Sequence, residues 1–568
     1  MSTSPTTLLR QYQTSFLVII CLITSPLSFA EKPIGEPGSV IATPPDMTYF
    51  ALQGDTLSGI SKRFTDKALN WPALSKRNHI ADDRAIPIGT AILIPLELLP
   101  EEDSEARVLA LAGNPTYKPL NGTEMPIVIG TVVKEGAQIF TGKNGFITLA
   151  FPDNSRVSIP SNSQISLSKL RKTKYTASPR TEISLVEGKV ESHVSSLVSN
   201  KGRFEVRSPL AVAGVRGTHF RVGVTEAGTA NEVLEGGVAV NNLALKKSDG
   251  IVLPAGKGNI ISANAVGKAV NLLPAPKLNE DYLLQVRPTI QFLVDKTDAA
   301  LGYHVQIAKD REALDVLTEN NFKENRFKFD GLVDGTYFVR IAAIDQYGLE
   351  GIPLTQSFVL KARPEPPFTQ QPKNKVRSEK TDFVWTEASN ALSYHLQVAT
   401  DSAFSNIVLD QSNIKDVQLS SDALKVGQYF WRIATVVTQK DGKSDQGPFS
   451  DVQAFTQLPA QAAAAFADSE GKEISFNWAS EPGQRFLIQI AKDAQFQTIY
   501  LSRLTNEAEL KIARPDAGQY FIRVRATDPD GYVGAFSSTQ KITIKARWLD
   551  SDGNAITSSS GATLGTGF

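Results

Sequence analysis

The stretch YFALQGDTLSGISKRF, residues 49–64, determines the fold of the first compact module of this 568-residue chain. Residues 49–52 form a short apolar run that predicts a strand, and residues 54–56 predict a turn that offers an N-cap. The helix signal that follows consists of apolar residues at helical spacing, namely Leu57, Ile60 and Phe64. A strand that turns directly into an amphipathic helix is therefore expected.

The remainder of this module, residues 47–96, predicts a second helix and a closing strand. Asn70 is placed to cap the second helix, Pro72 is tolerated in its first turn, and Leu74 is expected to point inward. Residues 91–94 supply the closing strand, which ends at a proline. The pattern predicts a small βααβ module.

Residues 49–64, Asn78 and the segment IPIGTAILIP at 86–95 together resemble the LysM family. The resemblance implies a shallow groove that binds N-acetylglucosamine-containing chains of peptidoglycan. A neutral glycan is held by backbone groups and a few apolar side chains, so charge is not required. The residues that the resemblance places around this groove are Gly54, Asp55, Thr56, Leu57, Asn78, His79, Ile80, Ile86 and Pro87.

Several of these residues have a structural interpretation as well. Asp55 and Thr56 are expected to cap the helix and also to contact glycan, while Leu57 packs in the core. Asn78 is interpreted as a structural turn residue rather than a direct ligand. His79 is interpreted as a surface turn residue, because no metal-binding or catalytic partner is visible near it in the sequence.

The first thirty residues predict an export signal. Arg10 is the single charge, an apolar run covers 16–23, and small residues at 28 and 30 precede an expected cleavage after Ala30. The alternative is an uncleaved anchor, but the apolar run is shorter than the roughly 20 residues of a spanning helix. A linker rich in proline and glycine, residues 31–46, follows.

Composition excludes several classes of function. The 59 basic and 59 acidic residues cancel, so no net field attracts nucleic acid or an anionic membrane. Cys21 is the sole cysteine and lies in the predicted signal, so the mature chain is expected to lack thiol chemistry and disulfides. Its neighbour Ile20 is bulky, which argues against lipidation.

An acidic linker, 97–104, leads to residues 105–270, where apolar residues alternate with period two and predict an all-β domain. The segments GAQIFTGKNGFITLAFPDNSRVSIP (136–160), LVEGKV (185–190), RFEVRSPLAVAGVRGTHFRV (203–222) and VLEGGVAV (233–240) resemble the FecR domain family. Regulators of that family have a cytoplasmic segment that binds a sigma factor, then a membrane span, then this domain. Here 15 residues precede the apolar run, so no such segment is expected.

Arg216 is the most distinctive charged residue of this second domain, because glycines flank it at 214 and 217. It is interpreted as a buried structural arginine, and a ligand-binding role is the alternative.

Three repeats follow, at 278–362, 363–457 and 460–546. Their aligned segments are YHVQIAKD (303–310), YHLQVATD (394–401) and FLIQIAKD (486–493), followed by GTYFVRIAAID (335–345), GQYFWRIATVV (427–437) and GQYFIRVRATD (518–528). Repeats of this length with alternating strands predict β-sandwiches and resemble fibronectin type III modules. The last residues, 547–568, are rich in Gly, Ser and Thr and predict a flexible tail.

No catalytic or metal-binding motif is found, so neither a catalytic residue nor a cofactor is predicted. No histidine pair has the H-E-x-x-H spacing, and the match to S-x-x-K at 166–169 lies in a predicted strand. The Asp-rich segments at 528–531 and 550–554 fit turns better than calcium loops. The remaining histidines are assigned to strands, namely His193, His219, His304 and His395.

The sequence thus predicts a multidomain, mainly β protein with a LysM module, a FecR-like domain and three sandwich repeats. We expect a non-catalytic envelope protein, exported to the periplasm of a Gram-negative bacterium, that binds peptidoglycan and presents its β modules to a protein partner. No nucleic-acid partner and no transmembrane span are expected in the mature chain. The alternatives are a FecR-like signal transducer and a cell-wall hydrolase.

Overall fold

The computed structural model describes residues 35–43, 45–82, 84, 86–195, 202–215, 217–245, 250–422, 424–468, 472–548, 550–552, 555–562 and 564–565. The predicted signal at 1–30 and Arg216 lie outside the described residues. The chain forms two compact units. Of the described residues, the first unit comprises those up to 275 together with 297–321 and 341–353, and the second comprises 276–296, 322–340 and those from 354 onward.

The first module has the predicted βααβ order, with one additional strand. Its antiparallel sheet has the order Val40–Thr43, Asp46–Phe50, Ala91–Pro95. The helices are Leu57–Thr65 and Trp71–Asn78, with 3-10 turns at Ala68–Asn70 and Leu96–Leu98. The apolar faces of both helices pack on the sheet in one core that contains Met47, Leu57, Ile60, Leu74 and Ile92.

Two predicted linkers contain short strands. Within 31–46, strand Val40–Thr43 pairs with the first predicted strand of the module. Within 97–104, strand Glu101–Asp103 pairs with Gln164–Thr173. Both linkers are therefore partly built into the neighbouring sheets.

The second domain is a sandwich of two sheets, each containing ten described strands. The first sheet has the order Ala265–Val266, Lys257–Ser262, Gly228–Glu235, His219–Thr225, Lys189–His193, Arg156–Ile159, Phe146–Ala150, Glu105–Ala112, Val132–Lys134, with Val270–Asn271 beside Lys257–Ser262. The second sheet has the order Ile251–Pro254, Gly237–Asn242, Ala211–Val215, Arg203–Arg207, Pro179–Glu187, Gln164–Thr173, Gln138–Phe140, Thr116–Lys118, Met125–Pro126, with Glu101–Asp103 beside Gln164–Thr173.

The period-two pattern of this domain corresponds to the core between the two sheets. Apolar residues predicted to point inward are buried there, including Ile147, Leu149, Ile165, Val206 and Phe220. Because side chains alternate along a strand, the residues between them point away from that core. The outward face of the first sheet therefore carries a row of polar groups.

The three repeats are built from strands that form sandwiches. The first repeat contains Leu284–Gln285, Ile290–Leu293, Gly302–Ala308, Val316–Phe322, Arg326–Phe329, Gly335–Ile344 and Leu354–Leu360. The second contains the sheets Thr369–Gln371, Lys380–Trp385, Gln418–Asp422 and Asn374–Arg377, Gln453–Leu458, Gly427–Thr438, Ser393–Ala399, Ile407–Ile414, with Ser444–Phe449 beside Gly427–Thr438. The third contains Ala465–Asp468, Glu473–Asn477, Glu509–Ala513 and Ile499–Thr505, Arg485–Ala491, Gly518–Thr527, Gln540–Ile544.

Equivalent aromatic contacts recur in the second and third repeats. Trp385 packs edge-on against Tyr394 with ring centroids 5.5 Å apart, and Trp478 packs in the same way against Phe486 at 5.6 Å. Val294 takes the equivalent position in the first repeat and is also buried. The chain beyond 547, predicted to be a flexible tail, has backbone hydrogen bonds of 2.9 Å that join Trp548 to Ile556 and to Leu564.

Candidate functional site

Two loops of the first module lie side by side at one end of its sheet. Ala51, which directly follows the strand Asp46–Phe50, donates its N–H to Thr90 O at 3.0 Å and accepts from Gly89 N at 2.8 Å. These bonds hold the start of the Gly54–Leu57 loop against the loop that contains Pro87. The structure therefore brings the first and last parts of the predicted groove together.

Asp55 is buried and fixes the conformation of the first loop. Its carboxylate accepts from the Tyr49 hydroxyl at 2.5 Å and from Leu52 N at 2.8 Å, and it pairs with the Arg63 guanidinium at 2.9 Å. Burial alone would raise the pKa of the Asp55 carboxyl, but these partners together lower it below its usual value. The helix cap expected at Asp55 is therefore not formed: these bonds go to a strand, a turn and an arginine, and Thr56 alone caps the helix.

The other residues of this loop differ in accessibility. Thr56 is the helix N-cap, and its Oγ1 accepts from Gly59 N at 3.0 Å. Leu57 is fully buried in the module core. Gly54 is exposed with φ +80°, and a Cβ built on it would have no heavy atom within 4 Å. Gly54 thus presents open backbone to solvent.

Asn78 attaches the second helix to the closing strand. Its amide donates to Leu74 O and to Leu93 O, both at 2.8 Å, and its Oδ1 accepts from Leu93 N at 2.7 Å. Since both ends of the amide are used within the module, the interpretation of Asn78 as a structural residue agrees with the geometry. Asn70, by contrast, makes no cap: its amide donates to Thr65 Oγ1 at 3.1 Å.

The second loop, which contains Pro87, begins at the end of the helix Trp71–Asn78. His79 is exposed and adopts the left-handed conformation at φ +55°, which ends the helix. Ile80 is half-buried, and its backbone bonds to Ser75. Further along, Ile86 is buried in the core whereas Pro87 is exposed.

Exposed apolar side chains flank these two loops. Leu52 precedes the first loop and Ile88 follows Pro87, and the two are 42% and 56% exposed. The two loops therefore combine accessible backbone at Gly54 with apolar surface, and the Asp55 carboxylate is turned inward. This arrangement suits a neutral ligand with apolar ring faces and hydroxyl groups.

A group of buried, charged side chains lies on the outward face of the FecR-like domain. We call it the buried ionic cluster, and it consists of Lys189, Arg221, Glu232, His304, Glu319 and Glu350. All six belong to the first compact unit, and the last three come from the segments 297–321 and 341–353. Arg221 pairs with Glu232 at 2.8 Å and with Glu350 at 2.7 Å.

His304 lies between two carboxylates of this cluster. Its Nε2 is 3.2 Å from Glu319 and its Nδ1 is 3.1 Å from Glu350. Burial alone would lower the pKa of His304, but the negative charges of Glu350 and Glu319 raise it to about 9. Burial would raise the pKa of Glu319, whereas the bond and charge of His304 lower it to about 2.

A third cluster was not predicted from the sequence. His193 and His219 are opposite each other on neighbouring antiparallel strands, their rings 3.5 Å apart, and Glu191 lies two residues before His193. The assignment of both histidines to strands is correct, but no linear motif revealed that they pair. The one sequence signal is Glu191-Ser-His193, whose period of two places the carboxylate and one imidazole on the same face.

Comparisons with known proteins agree with the two resemblances. The LysM domain family model matches residues 52–95, and the FecR protein family model matches residues 137–239. Both families are typical of envelope proteins and are binding or regulatory rather than catalytic. No curated protein matches the chain significantly. Among the described residues, no helix has the length and apolar character needed to cross a membrane.

Three of the solved structures that match the chain have low sequence identity to it. Two crystal structures of a candidate anti-sigma factor from Parabacteroides distasonis are 18% and 17% identical, each with a TM-score of 0.19 and covering 23% of this chain. The chain spans 57% of the length of those proteins. The FN1–FN3 domains of chicken CNTN1 are 16% identical, cover 47% of this chain and 98% of their own, and also have a TM-score of 0.19.

Proposed function

We propose that this protein is a non-catalytic envelope protein of the Gram-negative periplasm that tethers itself to peptidoglycan through its LysM module. The observation that carries the proposal is the pair of loops at one end of the module's sheet. They expose the Gly54 backbone and the apolar Leu52 and Ile88, while Asp55 is turned inward. Together with the LysM match, this surface supports binding of N-acetylglucosamine-containing glycan.

The remaining domains serve to present binding surfaces in this proposal. One shallow groove gains little free energy after the cost of ordering a glycan chain, so a single module binds modestly. Retention on the wall then depends on avidity, from self-association or from a second contact made by the β domains. A protein partner in the envelope is the contact that we propose for the FecR-like domain and the repeats.

A second candidate function is signal transduction in the envelope. The FecR match at 137–239 favours it, because that family is regulatory. In this version the LysM module positions the chain on the wall and the FecR-like domain communicates with a regulator. Cell-wall hydrolysis is the alternative that a zymogram with purified protein tests, and a cleared band would contradict a non-catalytic role.

The first test is co-sedimentation of the full chain with insoluble peptidoglycan, comparing wild type with Gly54→Asn. Asn tolerates the positive φ of Gly54. Its side chain enters the space that is open above the loop, so we expect at least about tenfold weaker binding, equivalent to about 1.4 kcal/mol.

Gly130→Asn is the matched control. Gly130 has φ +85°, is exposed, has no heavy atom within 4 Å of a Cβ built on it, and lies in the FecR-like domain. We expect this variant to bind like wild type. An equal loss of peptidoglycan binding in both variants, or unchanged binding by Gly54→Asn, would contradict the assignment of the groove to these loops.

A further inference from the structure

Three potential metal ligands converge on the outward face of the first sheet of the FecR-like domain. Strands Lys189–His193 and His219–Thr225 are antiparallel neighbours, and their register places His193 directly opposite His219. His219 Nε2 is 2.5 Å from Glu191 Oε1, and His193 Nε2 is 3.7 Å from the same oxygen. One ligand atom from each residue lies within 4.8 Å of the other two.

Core packing holds these three side chains on one face. Val190 and Phe220, which neighbour Glu191 and His219 in sequence, are buried between the two sheets. Because side chains alternate along a strand, the histidines and the glutamate are directed to the opposite face. The backbone that carries the cluster is therefore part of a rigid sandwich, which is the support that a preorganised site requires.

Two imidazoles and one carboxylate form a donor set that binds divalent first-row transition ions. With bonds of about 2.0–2.2 Å, the ligand atoms of a tetrahedral zinc site are about 3.3 Å apart. The separation of 3.7 Å between His193 and Glu191 is close to that value. The 2.5 Å separation of His219 Nε2 and Glu191 Oε1 must increase by about 0.8 Å to reach the same value.

The surroundings of the cluster leave access and polar contacts for further ligands of an ion. The side chains of His193 and His219 are 29% and 15% exposed, and they line a cavity of about 350 Å³ together with Thr218. Thr218 is 3% exposed, and within the described part of the chain its Oγ1 has no hydrogen-bond partner. Glu235 is opposite His219 on the next strand and lines the same cavity.

We propose that Glu191, His193 and His219 bind a divalent transition-metal ion of the zinc type, with the remaining coordination position open to the cavity. The site is independent of the glycan groove, since its residues lie in the FecR-like domain and not in the LysM module.

The experiment is a calorimetric titration of the untagged full chain with Zn²⁺, after treatment with a chelator, combined with X-ray absorption at the zinc edge. Wild type is expected to bind one ion per chain, and the absorption spectrum is expected to contain two imidazole nitrogens and oxygen ligands. Substituting both histidines, His193→Asn with His219→Asn, is expected to weaken binding by more than about tenfold.

His395→Asn is the matched control, because His395 also lies on a strand and pairs with a carboxylate, Asp410, at 2.5 Å in the second repeat. This variant is expected to bind zinc as wild type does. Absence of binding by wild type, a spectrum without imidazole, or unchanged affinity in the double variant would each overturn the proposal. The wild-type spectrum tests for imidazole ligands even if the double variant fails to fold. Peptidoglycan co-sedimentation tests the proposed glycan binding separately, so the two proposals can fail independently.

Discussion

At the scale of single residues, the first loop of the LysM module depends on a carboxylate that is turned away from solvent. Asp55 bonds to the Tyr49 hydroxyl, to Leu52 N and to Arg63, so that it links the strand, the turn and the first helix. The loop owes its shape to these bonds and to the Thr56 cap. The accessible surface of the loop is thereby left to the backbone at Gly54 and to the neighbouring apolar side chains, to which we assign the proposed glycan contact.

We expect Asp55→Asn to destabilise the module by about 2 kcal/mol, because the amide weakens the bonds made by a buried charged acceptor. Hydrogen exchange measured by mass spectrometry over residues 47–64 would detect the loss as faster exchange. Asp66→Asn is the control, since Asp66 is exposed at φ +58°, a conformation that Asn adopts equally well. Comparable exchange in the two variants would show that the Asp55 bonds do not stabilise the loop.

At the scale of secondary-structure elements, one side chain couples a helix to a strand. Asn78 ends the helix Trp71–Asn78 and uses both ends of its amide on backbone groups, two of them on Leu93 in the strand Ala91–Pro95. This link positions the second loop of the groove, because His79 and Ile80 follow directly.

We expect Asn78→Ala to cost about 2 kcal/mol, since the half-buried N–H and carbonyl of Leu93 lose their side-chain partner. Asn70→Ala, which removes a single bond to Thr65, is expected to cost about 0.5 kcal/mol. Pulse proteolysis in urea, with detection of fragments from residues 47–96, measures both. A larger loss for Asn70→Ala than for Asn78→Ala would contradict the structural role assigned to Asn78.

The elements themselves could largely be predicted from the sequence, whereas the pairs between distant strands could not. Helical spacing of Leu57, Ile60 and Phe64 identified the first helix because periodicity is local. The pairing of His193 with His219 depends on the register of two strands 26 residues apart, which no local pattern specifies. Asn70 is predicted to cap the second helix because it directly precedes that helix. Its backbone is helical rather than extended, at φ −81° and ψ −4°, and its amide donates instead to Thr65 Oγ1 at the end of the first helix.

At the scale of the whole molecule, the first compact unit joins the glycan-binding module to the FecR-like domain. Phe64 of the first helix packs edge-on against Tyr175 at 5.2 Å, and the Tyr175 hydroxyl donates to Arg63 O at 3.1 Å. Segments 297–321 and 341–353 belong to the same unit and supply the buried ionic cluster with three of its members. The LysM module, with its proposed glycan groove, and the domain that carries the proposed metal site are thus parts of one packed body.

The buried ionic cluster makes the stability of this unit depend on pH. The shift in the pKa of His304 determines whether stability rises or falls with pH. In the folded protein that pKa is raised to about 9 from an ordinary value near 6.5, so folding favours the protonated form. The resulting stabilisation is fully present below about pH 6.5 and is lost as the pH rises through about 9. The difference in pKa corresponds to about 3 kcal/mol.

We therefore expect thermal unfolding of the first unit, followed by hydrogen exchange in peptides from 302–322, to occur at lower temperature at pH 9.5 than at pH 6.5. His304→Gln removes the titrating group. In this variant the unfolding temperature of the segment 302–322 should be nearly independent of pH over that range, although lower than that of wild type at pH 6.5. His395→Gln is the control, because His395 has the equivalent position in the second repeat and pairs with Asp410, which is 51% exposed. Wild type and His304→Gln could instead lose protection against hydrogen exchange equally between pH 6.5 and 9.5. That result would contradict the claim that protonated His304 stabilises the unit by pairing with Glu319 and Glu350.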